Sequence, residues 1–187
     1  MSNFTNSISY PFRFVLFLWI VFLFEYFSGF TFAILGIFPR DREGLVGIAL
    51  APLIHGSYIH LLSNSIPLII LGTVLYMFYN QIAGRVFFLG YFLTGVFVWC
   101  FARPSYHIGA SGLVYTIAFF LFFIGLFRRD IPSLMISIIT SFFYGGIIYG
   151  ILPSEPNVSF ESHLFGALIG ACAAFAFRNS KKILKRV

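Results

Sequence analysis

The chain has 187 residues and a net charge of +6, yet only 10% of it is charged and 59% is hydrophobic, with a mean hydropathy of +0.94. Soluble domains average about 25% charged residues, so this composition lacks the polar surface that coats a globule in water. It fits an all-α polytopic membrane protein, because helices of about 20 apolar residues pair their own backbone groups in hydrocarbon, and the strand alternation of a membrane barrel is not visible.

Six spans are predicted in one membrane domain covering 1–187. The first, 12–37, is far longer than the 7–15-residue apolar core of a secretion signal, and no small-residue cleavage site follows it; it reads as a retained helix. Glu25 lies in its middle, costly if it faces lipid, with no partner evident in the sequence. Pro39 follows, then a loop over 39–57 containing Arg40-Asp41-Arg42-Glu43-Gly44-Leu45. The second span is 58–79, with Pro67 inside it, and the third is 85–101. Pro104 marks the next loop. The fourth span is 109–127. The fifth is 132–152, with Pro132 in its first turn, where a missing N–H is tolerated. The sixth is 162–177, after the loop at Pro153-Ser154-Glu155-Pro156.

An even number of spans puts both termini on one side. That side carries Arg13, Arg85, Arg128, Arg129, Arg178, Lys181, Lys182, Lys185 and Arg186, nine basic residues, against Arg40, Arg42 and Arg103 on the other. Nine against three orients the termini to the cytoplasm. The basic tail 178–187 is then a juxtamembrane segment facing anionic headgroups rather than a nucleic-acid surface. Cys100 and Cys172 fit neither a metal spacing nor a disulfide; Cys172 reads as a small packing residue.

In this orientation spans two, four and six all run inward from the outer face, so their first turns share one depth. Ser111 lies in the first turn of the fourth span, in Gly109-Ala110-Ser111-Gly112. Small neighbours leave its surroundings open, and a helix N-terminus gathers N–H groups that stabilise negative charge. Glycine and alanine also line tight helix contacts in membranes, so the tetrapeptide alone is ambiguous. His163 begins the sixth span and is followed by Gly166 and Gly170, a spacing that admits a close helix neighbour and would carry the imidazole toward Ser111. Histidine titrates near neutrality and suits a general base. His60 and Asn64 share a helix face and both donate hydrogen bonds. Tyr115, four residues after Ser111, could wall the site beneath His163, and His55 could brace the loop. Three histidines could also ligate a metal, but no HExxH is present and no metal or cofactor is expected.

These residues resemble the rhomboid family of intramembrane serine proteases over about Ala49 to Phe177. The resemblance is carried by His55-x4-His60-x3-Asn64, Gly109-Ala110-Ser111-Gly112 with Tyr115, and His163-x2-Gly166-x3-Gly170. It implies a six-helix rhomboid-like bundle with Ser111 as nucleophile and His163 as base. It further implies an oxyanion hole from His60, Asn64 and the Ser111 N–H, and an aromatic, Tyr115, supporting the histidine. The expected substrates are transmembrane proteins, cut in or near a membrane-spanning segment. The place is the lipid bilayer, expected to be a bacterial cytoplasmic membrane with the site near the outer face. One departure is the loop 39–57, which lacks the family's Trp-Arg pair. Two rival readings are a catalytically silent rhomboid-like protein that binds membrane clients, and a small proton-coupled transporter using Glu25 and the histidines.

Overall fold

The computed structural model describes residues 4–153 and 158–180. The architecture is a helical membrane bundle: five helices are long and apolar enough to cross a membrane, and a shorter sixth completes the set. They are α1 (Phe4–Ser28), α2 (Tyr58–Phe78), α3 (Asn80–Phe101), α4 (Ser111–Arg128), α5 (Ile131–Tyr144) and α6 (Phe160–Ala176). A 3-10 helix, Gly145–Ile151, continues α5. The sequence expectations that fall on residues 154–157 and 181–187, including most of the basic tail, lie outside the described residues.

The first helix differs most from its expected span. It begins at Phe4 and stops at Ser28, although apolar residues continue to 38. Gly29 adopts a left-handed φ of +72°, and its N–H donates to the Glu25 carbonyl at 3.2 Å, a common way to satisfy the last carbonyls of a helix. Glu25 also turns its side chain to this end: Oε1 accepts from the Phe32 N–H at 2.7 Å. Its place in the fold is therefore a latch that folds residues 29–35 back over the end of α1. Hydropathy alone does not distinguish that turn from more helix. α3 starts at Asn80 rather than 85, because Tyr79, with φ −131° and ψ 33°, is enough to separate it from α2. α6 starts at Phe160 because the Ser159 hydroxyl accepts from the Ser162 N–H and caps it. Cys172 is exposed on α6 rather than packed, and both cysteines are free thiols.

The loop after α1 takes its shape from groups outside itself. Ile37 and His107 exchange main-chain hydrogen bonds at 3.0 and 2.9 Å. Arg40, in the left-handed region at φ 61°, donates to the Ala102 carbonyl at 2.8 Å and the Cys100 carbonyl at 3.3 Å, capping the end of α3. The Trp99 indole of α3 donates to the Asp41 carbonyl at 2.8 Å. The Arg40 main-chain N–H also donates to the Trp99 carbonyl at 2.9 Å, so the loop is fastened to the end of α3 through main-chain groups.

α4 is the central post, packed against α6, α5 and α2. Leu113, Ile117, Phe120, Leu121 and Ile124 of α4 are fully buried with Leu61, Leu68, Leu71 and Leu75 of α2. Against α6 the approach is backbone on backbone. A β-carbon at Gly166 would fall on the Gly112 carbonyl oxygen, and one at Gly170 on that of Thr116. Thr116 Oγ1 bridges the two helices, 3.0 Å from the Gly112 carbonyl and 3.1 Å from that of Gly166. Interhelical hydrogen bonds in membranes average only about 0.6 kcal/mol, so the dispersion gained by close approach is the larger contribution.

Gly166→Val should lower stability by about 1–3 kcal/mol through overpacking, seen as an earlier thermal unfolding midpoint in detergent. Gly145→Val, where a β-carbon meets open space, should leave the midpoint in place. Equal midpoints for both variants would contradict this packing.

Candidate active site

Ser111 is the first residue of α4, so its N–H and that of Gly112 precede the first helical bonds, which the Leu113 and Val114 N–H groups make to the Ala110 carbonyl at 3.0 and 3.1 Å. The preceding turn is pinned from two directions. The Gly109 N–H donates to the Ala51 carbonyl at 2.8 Å. The Ala110 N–H donates to His55 Nε2 at 3.4 Å. Gly109 has φ +107°, and a β-carbon there would lie 2.6 Å from His60 Nε2. Only glycine takes this backbone conformation without strain, and its missing side chain leaves the His60 ring beside the turn.

His60 and Asn64 stand one helical turn apart at the start of α2. Asn64 is buried, and its Nδ2 donates one hydrogen to the His60 carbonyl at 3.1 Å. An amide nitrogen carries two hydrogens, so the other remains for a ligand. His55, in the loop before α2, is 2% exposed and lies edge-on to His60 with ring centroids 5.0 Å apart. Burial, reinforced by the neighbouring His60 charge, lowers its pKa to about 4. It is therefore neutral at neutral pH, with Nε2 as acceptor for the Ala110 N–H.

His163 sits in the first turn of α6. Its Nδ1 is 2.8 Å from the Gly150 carbonyl oxygen. A carbonyl only accepts, so Nδ1 carries the proton and Nε2 keeps its lone pair. The ring stacks on Tyr115 with centroids 4.2 Å apart and planes 4° from parallel. The Tyr115 hydroxyl donates to the Ile147 carbonyl at 2.9 Å. Imidazole and phenol are thus both held by main-chain oxygens of the 3-10 segment after α5. Gly150 is required there, since a β-carbon would run into the Tyr115 hydroxyl.

Ser111, His163, His60, Asn64 and Tyr115 line one cavity of about 1020 Å³, walled also by Ser63 and Pro67 of α2, by Phe143 and Tyr144 at the end of α5 and by Ile147 of the 3-10 segment after it. The structure brings these five together. Gly109 and His55 lie directly behind Ser111, while Gly112, Gly166 and Gly170 form the helix contact beneath. Among the described residues, no hydrogen bond joins Ser111 to His163; such bonds are often long before substrate binds. Chemically, the cavity offers a hydroxyl at a helix N-terminus, an imidazole with a free nitrogen, and side-chain donors across from it. Two contributors escaped the sequence reading. Gly150 orients His163, and its signal was the glycine group Gly145, Gly146 and Gly150. His107, four residues before Ser111, is buried and also lines the cavity.

The chain matches the Rhomboid domain family model over residues 42–180. It is 36% identical over 176 residues to an uncharacterized protein of Mycobacterium tuberculosis (strain H37Rv), an alignment covering 87% of this chain and 71% of that protein. An uncharacterized protein of Mycobacterium bovis is similar to the same degree, 36% over 176 residues. One from Mycobacterium leprae is 34% identical over 160 residues, covering 75% of this chain and 59% of its own length.

Because the His55 pKa is depressed in the fold, the unfolded chain binds the extra proton between about pH 4 and 6.5. Its contribution to stability is full above the unfolded pKa and declines as pH falls toward 4. His55→Gln keeps an acceptor for Ala110 but does not titrate. The unfolding midpoint should fall less steeply over this pH range in His55→Gln than in the parent. Identical pH slopes would contradict the assignment.

Proposed function

Because this chain belongs to the rhomboid family, we propose that it is an intramembrane serine endopeptidase that cuts membrane-protein substrates in or near their transmembrane segments. The observation that carries this reading is the shared cavity, lined by Ser111 and by an imidazole, His163, whose Nδ1–H is committed to the Gly150 carbonyl. That commitment leaves Nε2 as the only ring nitrogen able to accept the serine proton.

In the proposed reaction Ser111 Oγ attacks the scissile carbonyl while His163 Nε2 takes its proton. The oxyanion is held by the Ser111 N–H, Asn64 Nδ2 and the His60 ring. Collapse breaks the C–N bond, and the imidazolium gives its proton to the leaving amine. Water, activated by the same imidazole, then releases the acyl group and restores the serine. No carboxylate takes part: the Gly150 carbonyl fixes the tautomer that a buried aspartate fixes in triads, and Tyr115 fixes the ring plane. His55 acts one step back, by holding the Ala110 N–H. The cavity runs between α2 and the end of α5, so a substrate segment would enter past Phe143, Tyr144 and Ile147. The proposed orientation has both termini in the cytoplasm, the site near the outer face and a bacterial cytoplasmic membrane as host.

With purified protein in liposomes and a single-span model substrate, Ser111→Ala and His163→Ala should each abolish cleavage while the fold persists. Asn64→Ala should lower kcat about 10²–10³-fold, as the loss of one oxyanion donor does. Full cleavage by either dyad variant would reject the reading.

A further inference from the structure

His107 lies four residues before Ser111, and Ser159 lies four residues before His163. The two side chains meet: Ser159 Oγ is 2.6 Å from His107 Nδ1. On the other side of the ring, Nε2 is 3.0 Å from the Arg103 carbonyl. That oxygen can only accept, so the proton sits on Nε2 and the Nδ1 lone pair accepts the Ser159 hydroxyl proton. Ser105 Oγ lies 3.4 Å from the same Nε2. The Ser159 oxygen in turn receives the Ser162 N–H at 3.3 Å and lies 2.7 Å from the Ser162 hydroxyl. Along the relay of Ser162, Ser159, His107 and the Arg103 carbonyl, each donor has an acceptor. Burial lowers the His107 pKa despite the Arg103 carbonyl bond that raises it, which keeps the ring in the neutral form that the relay needs.

The relay joins two turns. The backbone of His107 is fixed to Ile37 by paired hydrogen bonds, and that of Gly109 to Ala51, so the turn leading into Ser111 cannot drift alone. Ser159 opens α6, which carries His163. Arg103 crosses the same gap: its main-chain N–H and its guanidinium both meet the buried Glu161 carboxylate, at 3.3 and 3.4 Å, and the guanidinium also donates to the Val158 carbonyl. These contacts tie the Arg103 end of the loop, four residues before His107, to the start of α6, and the Arg103 side chain is 35% exposed. His107 is 2% exposed. The helix contact at Gly112 and Gly166 sets how close the two helices lie. With the Thr116 bridge it fixes the register along the helices below, and the His107–Ser159 contact ties together the turns that lead into them.

We infer that His107 and Ser159 form a positioning clamp that sets the axial register of the first turns of α4 and α6, and with it the approach of Ser111 Oγ to His163 Nε2. This rests on the reading of Ser111 and His163 as the reacting pair. His107 acts through the main chain of the nucleophile turn and does not itself touch the reacting atoms. It is a positioning residue.

The test measures kcat and KM separately in liposomes, at a temperature well below the unfolding midpoint of each variant. His107→Ala should lower kcat about 10–100-fold, the scale of a small misplacement of reacting groups, with KM within roughly threefold of the parent. His107→Asn places an amide oxygen near the Nδ1 position and should recover kcat to within about fivefold of the parent. Ser159→Ala should resemble His107→Ala, and the double variant should be no slower than the slower single variant, because both break the same link. Should His107→Ala fail to fold, Ser159→Thr, which keeps the hydroxyl, is compared with Ser159→Val, which loses it; the first should stay fast and the second become slow. The clamp is overturned if His107→Ala keeps its kcat, if only KM changes, if Asn does no better than Ala, or if Ser159→Val matches Ser159→Thr. A parent protein that cleaves normally while these variants match it removes the clamp alone. A parent with no proteolytic activity removes the protease reading, and the clamp with it.

Discussion

The structure depends on the contact between α4 and α6, where the Gly112 and Thr116 carbonyls lie against Gly166 and Gly170 with no side chain between. In a bilayer there is no water to drive apolar surfaces together, so helices associate through close packing and a few interhelical hydrogen bonds. Two backbones at van der Waals distance maximise the first of these. The same contact sets where the cavity residues of the two helices meet. It begins at Gly112, the residue after Ser111, and at Gly166, about one turn after His163, and both Ser111 and His163 line one cavity at the starts of the helices.

The polar groups of that cavity are held by main-chain atoms rather than by charged side chains. His163 is oriented by the Gly150 carbonyl and Tyr115 by that of Ile147, both from the 3-10 segment after α5. His107 is oriented by the Arg103 carbonyl. A buried carboxylate would serve the same purpose, but it brings a large desolvation cost at membrane depth. Neutral carbonyls supply fixed dipoles without that cost. The consequence is a site whose geometry depends on the conformation of short loops and 3-10 turns, and so on the interfacial segments that carry them.

Much of this was visible in the sequence because it follows from spacing. His60 with Asn64, Ser111 with Tyr115, and His163 with Gly166 each lie three or four apart, so the helix period alone puts each pair on one face. The all-helical membrane class followed from composition. What escaped depended on local backbone geometry or on partners distant in sequence. The end of α1 at Ser28 is made by a left-handed glycine and the Glu25 side chain, inside a run whose hydropathy does not change. Glu25 looked partnerless because its partner is a main-chain N–H seven residues on. Arg40 and Trp99 are 59 positions apart in the chain and are joined by a main-chain hydrogen bond, which residue types do not reveal. His107 fits no motif, and its partner Ser159 lies in a different loop.

The central claim is that Ser111 is an activated nucleophile and that His163 activates it. A fluorophosphonate probe tests this without any knowledge of the natural substrate: the serine oxygen displaces fluoride at phosphorus, and the base must take the hydroxyl proton. Incubation of the folded protein with the probe, followed by peptide mass spectrometry, should locate the adduct on Ser111. His163→Ala should leave Ser111 unmodified. An adduct on a different residue, or undiminished labelling of Ser111 without the imidazole, would contradict the account.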